Sequence, residues 1–196
     1  MKLIKAASAI ALACSSSALM AQTIDIQITN LTHAQHFTPR LVIAHDNSID
    51  AFEPGVEATS ALAWLAEAGV IDDAQNPASS GQNFQALLGP SDSDNNSNTW
   101  HRIDGLSAPS STENYAFDTM DKTHLSILAM LIPTNDAFVG LDSIKIPTTP
   151  GTYTYTLHAY DAGTELNDEL NSMRTDIVEQ GGTPLGGYGG LFSAIQ

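Results

Sequence analysis

Short strand-like segments recur along most of the chain, and they restrict the fold more than any other feature. Residues Thr23–Thr29 alternate between apolar and polar, which places three isoleucines on one face of a half-buried strand. The run 124–132 is almost entirely apolar and ends at Pro133, so it predicts a central, buried strand. Further β-rich segments occur at 38–45, 100–103, 113–117, 137–141, 143–147 and 151–160.

Only one segment has the pattern of a helix. Thr59 or Ser60 can cap its start, alanines and leucines fill 61–68, and Gly69 is the expected C-terminal stop. Its leucines and its tryptophan are expected to dock it on the sheet. The sequence therefore predicts an all-β protein, an antiparallel β-sandwich with one short helix.

The first 21 residues have the layout of a signal peptide. Lys2 and Lys5 precede a short apolar run, and small residues lead to a cleavage position after Ala21. The apolar run is much shorter than the roughly 20 residues of a spanning helix, and no later segment reaches that length, so no membrane span is predicted. We expect a secreted or periplasmic protein with a leader at 1–21, a domain at 22–175 and a glycine-rich tail at 176–196.

Cys14 is the only cysteine of the chain, and it lies inside this leader. Cleavage would leave a mature chain without a disulfide, so its core alone must hold the fold. A cysteine in a leader can also be a site of lipid attachment. Lipoprotein leaders usually have a larger aliphatic residue three positions earlier, where this chain has Ala11, and we therefore favour export without lipidation of Cys14.

Acidic residues dominate the charge of the protein. There are 22 Asp and Glu against seven Lys and Arg, which gives a formal net charge of −15. Nucleic-acid affinity depends mostly on basic side chains that neutralise phosphates, so a nucleic-acid partner is excluded. Divalent cations are more natural partners, although net charge also serves solubility and does not locate a site.

The stretch 91–98 is the most polar in the chain and suggests a calcium loop. A loop of the EF-hand type needs glycine at its sixth position and a bidentate glutamate at its twelfth. Counted from Asp92, these positions hold Ser97 and Ile103, and counting from Asp94 fails as well. We interpret this segment as a solvated surface loop.

Two other loops carry carboxylates directly after predicted strands. Asp136 follows the apolar strand, and Asp161 and Glu165 follow the strand rich in tyrosine and threonine. If these strands are neighbours with their ends together, the acids converge, and Gly163 permits the tight turn this needs. Carboxylates placed close together favour a divalent cation, and Ca²⁺ accepts carboxylate, carbonyl and water oxygens. The same residue types are common in turns without a ligand, so spacing alone leaves both interpretations open.

These two loops also carry a resemblance to a known family. The sequence LIPTNDAFVGL at 131–141, followed by YDAGTE at 160–165, is similar to the spondin domain of F-spondin, mindin and stand-alone bacterial relatives. The segments 28–32, 35–39 and 42–46 resemble the first strands of the bacterial form. The resemblance extends over roughly residues 23–170.

The resemblance implies a C2-like antiparallel β-sandwich with Ca²⁺ bound at one end by Asp136, Asp161 and Glu165. Glu165 stands where the animal proteins have aspartate, which lengthens the reach of that side chain. The cysteines and companion modules of the animal proteins do not occur in this sequence, so their matrix and receptor partners are not carried over. We expect an extracellular glycan or protein as the macromolecular ligand.

The sequence carries no catalytic signature. Its six histidines show no metal-binding spacing, and neither a phosphate loop nor a nucleophile elbow is present. His45 and Asp46 are adjacent, but neighbours in a strand point to opposite faces. We therefore predict a recognition or adhesion module and no enzyme. The alternative is a carbohydrate-binding or carbohydrate-acting sandwich protein, since a catalytic carboxylate pair leaves no pattern in sequence.

Overall fold

The computed structural model describes residues 22–47, 49–89 and 99–165. The predicted leader, the polar stretch 91–98 and the glycine-rich tail lie outside the described residues. The strands are β1 Thr23–Thr29, β2 His36–Phe37, β3 Arg40–His45, β4 Thr99–Ile103, β5 Thr112–Asp118, β6 His124–Ile132, β7 Ala137–Lys145 and β8 His158–Asp161. Between β3 and β4 lie the helices α1 Ser60–Ala68 and α2 Phe84–Leu88 and a 3₁₀ turn at Pro77–Ser79.

Two antiparallel sheets organise the described residues. β1 pairs with β5 in a two-stranded sheet, and the second sheet has the order β4-β3-β6-β7-β8, with β2 also paired to β6. The apolar strand β6 is central and has the predicted bounds. The prediction of an all-β antiparallel sandwich is confirmed.

The burial of β3 explains how the layers are arranged. All six of its residues are buried, because alternate side chains face two different cores. Leu41 and Ile43 belong to the core that contains α1, whereas Val42 and Ala44 belong to the core formed with β1 and β5. The larger sheet is therefore the middle layer, with helices on one face and the two-stranded sheet on the other.

Helix α1 forms as the sequence predicts. The hydroxyl of Thr59 accepts a hydrogen bond from the Leu62 N–H, and Gly69 ends the helix with a φ of 65°. The leucines and the tryptophan of α1 are fully buried. Helix α2 and the 3₁₀ turn were not predicted, because five and three residues are too short to show a helical period.

The predicted strand at 151–160 is wrong over most of its length. Only His158–Asp161 form a strand, and residues 152–156 are exposed and outside any strand. Threonine and tyrosine favour a pleated conformation, but a strand also needs a partner. Among the described residues, β8 pairs only with the first four residues of β7, Ala137 to Gly140.

The segments predicted at 137–141 and 143–147 are one strand with an irregularity. The pairing of β6 with β7 shifts its register between Leu125 and Ile127, so that Ser126 lies opposite an extra residue. Ser143 has a φ of 51° at this bulge. In the described part of the chain, no helix is long and apolar enough to cross a membrane.

Candidate functional site

The two acidic loops meet at one end of the six-stranded sheet. β6 and β8 are the two neighbours of β7, and the last residue of β8, Asp161, pairs with the first residue of β7, Ala137. The β6–β7 loop and the residues after β8 therefore lie side by side. We call this region, residues 133–136 and 161–165, the loop junction.

Asp136 ties the two halves of the loop junction together. Its carboxylate Oδ2 accepts hydrogen bonds from the backbone N–H groups of Thr164 at 2.8 Å and Glu165 at 3.0 Å. Its own backbone carbonyl accepts from the Ala162 N–H. The side chain is only 3% exposed, and no described group donates to Oδ1. Within the described residues, one carboxylate oxygen is thus held by backbone N–H groups, and the other accepts no hydrogen bond.

The turn after β8 has the form that the sequence suggests. Asp161 Oδ1 accepts from the Gly163 N–H at 2.7 Å, which closes a turn typical of aspartate. Gly163 has a φ of 69°, a backbone conformation that glycine adopts without strain. This turn brings Thr164 and Glu165 back towards Asp136.

The environment of Asp136 disfavours its negative charge. Burial raises the pKa of this carboxyl above its ordinary value, and the nearby charge of Asp161 raises it further. The N–H groups of Glu165 and Thr164 act in the opposite direction but do not cancel the increase. Among the described residues, no lysine, arginine or histidine forms an ion pair with Asp136.

The three predicted ligands share this junction but are not a ready-made metal site. Within the described ranges, no three acidic, histidine or cysteine side chains are grouped closely enough to hold a metal ion. The potential metal ligands at the junction are carboxylate and backbone oxygens, which suit a hard cation such as Ca²⁺. Oδ1 of Asp136 is the clearest available ligand atom among them.

His45 does not form a catalytic pair with the Asp46 carboxylate. Its Nδ1 lies 2.7 Å from the Asp46 backbone carbonyl, and its Nε2 lies 2.9 Å from the hydroxyl of Ser126. The imidazole is fully buried, so it acts in the packing of β3 against β6. The Asp46 carboxylate lies instead 3.9 Å from the Lys122 ammonium.

A cleft elsewhere on the sheet was not foreseen from the sequence. It is a cleft of about 450 Å³ beside β7 and β8, on the helix side of the sheet. Its walls include three carboxylates, two aromatic rings and one imidazole, from Asp50, Glu53, Asp142, Phe52, Tyr160 and His158. We call it the edge cleft. Gly140 also lines it, and a Cβ added there would lie 2.5 Å from the Phe52 ring, which the sequence alone does not show.

The family described as Spondin_N matches residues 28–176, more than half of the chain. The chain belongs to the spondin family. No curated protein matches it. The loop junction and the edge cleft both lie within the matched part of this spondin domain, which is a non-enzymatic kind of domain.

Proposed function

We propose that this spondin-domain protein is an exported calcium-binding module for extracellular recognition and adhesion, with Ca²⁺ at the loop junction. The observation that carries the proposal is the buried Asp136 carboxylate, which lies beside Asp161 and has no ion-pair partner among the described residues. Export rests on the signal-peptide layout of residues 1–21.

A bound cation would remove an electrostatic cost at this junction. A buried carboxylate is costly unless it is paired, and a second carboxylate nearby increases the cost. The higher pKa of Asp136 reflects both effects. Because Ca²⁺ attracts both anions, its binding would hold the β6–β7 loop and the turn after β8 in one arrangement.

The ligands that we propose are Asp136, Asp161 and Glu165. Asp136 would bind through Oδ1, since the backbone amides of 164 and 165 already hold Oδ2. The Glu165 backbone N–H donates a hydrogen bond to the same carboxylate. The Glu165 side chain, which is longer than that of aspartate, therefore starts close to the proposed site. Carbonyl and water oxygens would complete the six to eight ligands that Ca²⁺ takes.

Calorimetric titration of the mature chain with Ca²⁺ tests this function. The test variant is Asp136→Asn, because asparagine keeps an oxygen acceptor for the two backbone N–H groups while it removes the charge. The matched control is Asp25→Asn, which makes the same charge change at an exposed position of β1. We expect Asp136→Asn to bind Ca²⁺ at least about tenfold more weakly and the control to bind like the parent chain.

Melting in the presence of a chelator provides the second measurement. Bound Ca²⁺ stabilises the folded chain by mass action, so the chelator should lower Tm for the parent and for Asp25→Asn. It should leave the Tm of Asp136→Asn almost unchanged. A folded parent chain that shows neither heat of binding nor a chelator-sensitive Tm would rule out calcium binding.

A further inference from the structure

The Asp142 carboxylate lines the edge cleft and is held in position by two hydrogen bonds. Asp142 Oδ1 accepts from the Ala51 N–H at 2.8 Å and from the Ser126 hydroxyl at 2.9 Å. No group in the described ranges donates a hydrogen bond to Asp142 Oδ2. Asp142 lines the cleft and therefore offers it a charged acceptor in a defined orientation.

The β-bulge explains why this carboxylate stays in place. Ser126, which lies opposite the bulge in β7, accepts a hydrogen bond from the Ser143 N–H at 2.9 Å and contacts Asp142 through the same hydroxyl. The His45 imidazole contacts that hydroxyl as well. The network is buried at His45 and Ser126 and ends at the cleft with Asp142.

The aromatic rings of Phe52 and Tyr160 line the same cleft as this carboxylate. The Tyr160 ring lies 4.8 Å from the Phe52 ring and 5.4 Å from the Phe138 ring, measured between centroids. Gly140 has no side chain, which allows the Phe52 ring to lie directly on the sheet. Tyr160 is partly exposed, so its ring is the aromatic surface that a ligand can reach.

We propose that the edge cleft binds the guanidinium group of an arginine in a peptide ligand. A guanidinium is planar, donates hydrogen bonds to carboxylates in a fork and stacks on aromatic rings. Asp142 supplies the oriented acceptor, and Tyr160 supplies the ring. The exposed carboxylates of Asp50 and Glu53 at the same cleft, together with the net charge of −15, attract a basic ligand.

The chemistry of the cleft favours a cation over a neutral sugar. The three carboxylates can accept hydrogen bonds from sugar hydroxyls, but only a cation also balances their charge. Among the described residues that line the cleft, there is no lysine or arginine to offset them.

This site is distinct from the loop junction. Tyr160 and Asp161 are consecutive in β8, so their side chains face opposite sides of the sheet. The proposal therefore goes beyond calcium binding and does not require it. Titrations both with Ca²⁺ and in chelator separate the two proposals, because arginine binding at the cleft should persist in either condition.

An NMR titration of the ¹⁵N-labelled mature chain tests the proposal with the peptide N-acetyl-Gly-Arg-Gly-amide. The matched probe replaces arginine with citrulline, which has nearly the same shape but no charge. We expect the arginine peptide to shift amide signals of residues 50–54, 140–142 and 158–160, and to bind at least about tenfold more tightly than the citrulline peptide. Binding should weaken at high salt.

Two variants link this binding to the cleft. Asp142→Asn keeps an acceptor for Ala51 and Ser126 but places an amide where Oδ2 was, so we expect affinity to fall about tenfold with an unchanged Tm. Glu53→Gln should cause a smaller loss, since its side chain is exposed. Asp25→Asn changes the charge equally elsewhere and should bind within about twofold of the parent.

Three results would overturn the proposal. Equal affinity for the citrulline peptide would show that charge is not recognised. Unchanged affinity in both Asp142→Asn and Glu53→Gln would place the peptide elsewhere. A neutral oligosaccharide that shifts the same amides, with loss of the shifts in Asp142→Asn, would assign the cleft to carbohydrate.

Discussion

Arg40 and Asp136 are both charged side chains that are at most 3% exposed, but their surroundings differ. Arg40, between the two sheets, donates to the Glu113 carboxylate, to the Tyr115 hydroxyl at 2.7 Å and to the Gly105 carbonyl at 2.6 Å. Asp136 has backbone N–H partners, and the neighbouring charge is another carboxylate, that of Asp161. The Arg40 charge is balanced by a carboxylate of the protein itself. At Asp136, we expect a cation from solution to balance the charge.

Replacement of Arg40 should have the largest effect on stability. We expect Arg40→Met to lower the free energy of unfolding by about 3 kcal/mol, because Glu113 would lose its cation in a partly buried position. Lys122→Met is the control, since the partners of Lys122 are more than half exposed, and about 1 kcal/mol or less is expected. Urea unfolding measures both. Equal losses would show that the Arg40 pair behaves like a surface pair.

Truncation of Asp136 should have the next largest effect. We expect Asp136→Ala to be about 2 kcal/mol less stable than Asp136→Asn in chelator, because alanine leaves the N–H groups of Thr164 and Glu165 without their acceptor. Urea unfolding of the two variants gives this difference directly. Equal stability would mean that water replaces the carboxylate at no cost.

The pH dependence of stability tests the charge of Asp136. Its pKa is higher in the folded chain than the ordinary 3.8, so the folded state holds this proton more tightly than the unfolded state. The resulting stability is fully present below the unfolded pKa and is lost as pH rises through the folded pKa. In chelator, Asp136→Asn should therefore gain stability relative to the parent as pH rises above 3.8.

Denaturant unfolding at several pH values measures this difference. A gap between Asp136→Asn and the parent that stays constant or shrinks with rising pH would contradict the direction of the shift. Ca²⁺ should make the parent more stable than Asp136→Asn at neutral pH. It binds the ionised carboxylate of the parent, whereas the variant lacks this ligand.

Replacement of Asp161 should have the smallest effect. Asp161→Asn keeps an acceptor for the Gly163 N–H but removes the charge next to Asp136. The pKa of Asp136 should fall only part of the way, because burial is the larger cause of its increase. The pH-dependent stability difference that Asp136→Asn causes should therefore be smaller in the Asp161→Asn background, but it should persist. Asp25→Asn, measured in the same way, should leave it unchanged.

Local pattern was sufficient for the strands and the helix that follow a regular period. β1 and β6 have the predicted bounds, and α1 begins and ends at its predicted caps. The same reasoning was wrong at 151–157, because β-propensity does not reveal whether a partner strand is within reach. It also missed the bulge that orients Asp142, since a bulge depends on the register between two strands.

The sequence by itself determined the all-β class, the faces of its periodic strands and the tight turn at Asp161 and Gly163, because these depend on residues close together in the chain. Only the tertiary structure decided that Asp136 is buried against backbone amides 28 and 29 residues away, and that Arg40 meets a carboxylate 73 residues away. Segments distant in sequence determine how deeply a charge is buried and whether an opposite charge lies nearby. These two properties distinguish Arg40, which has a counter-charge, from Asp136, which has none among the described residues.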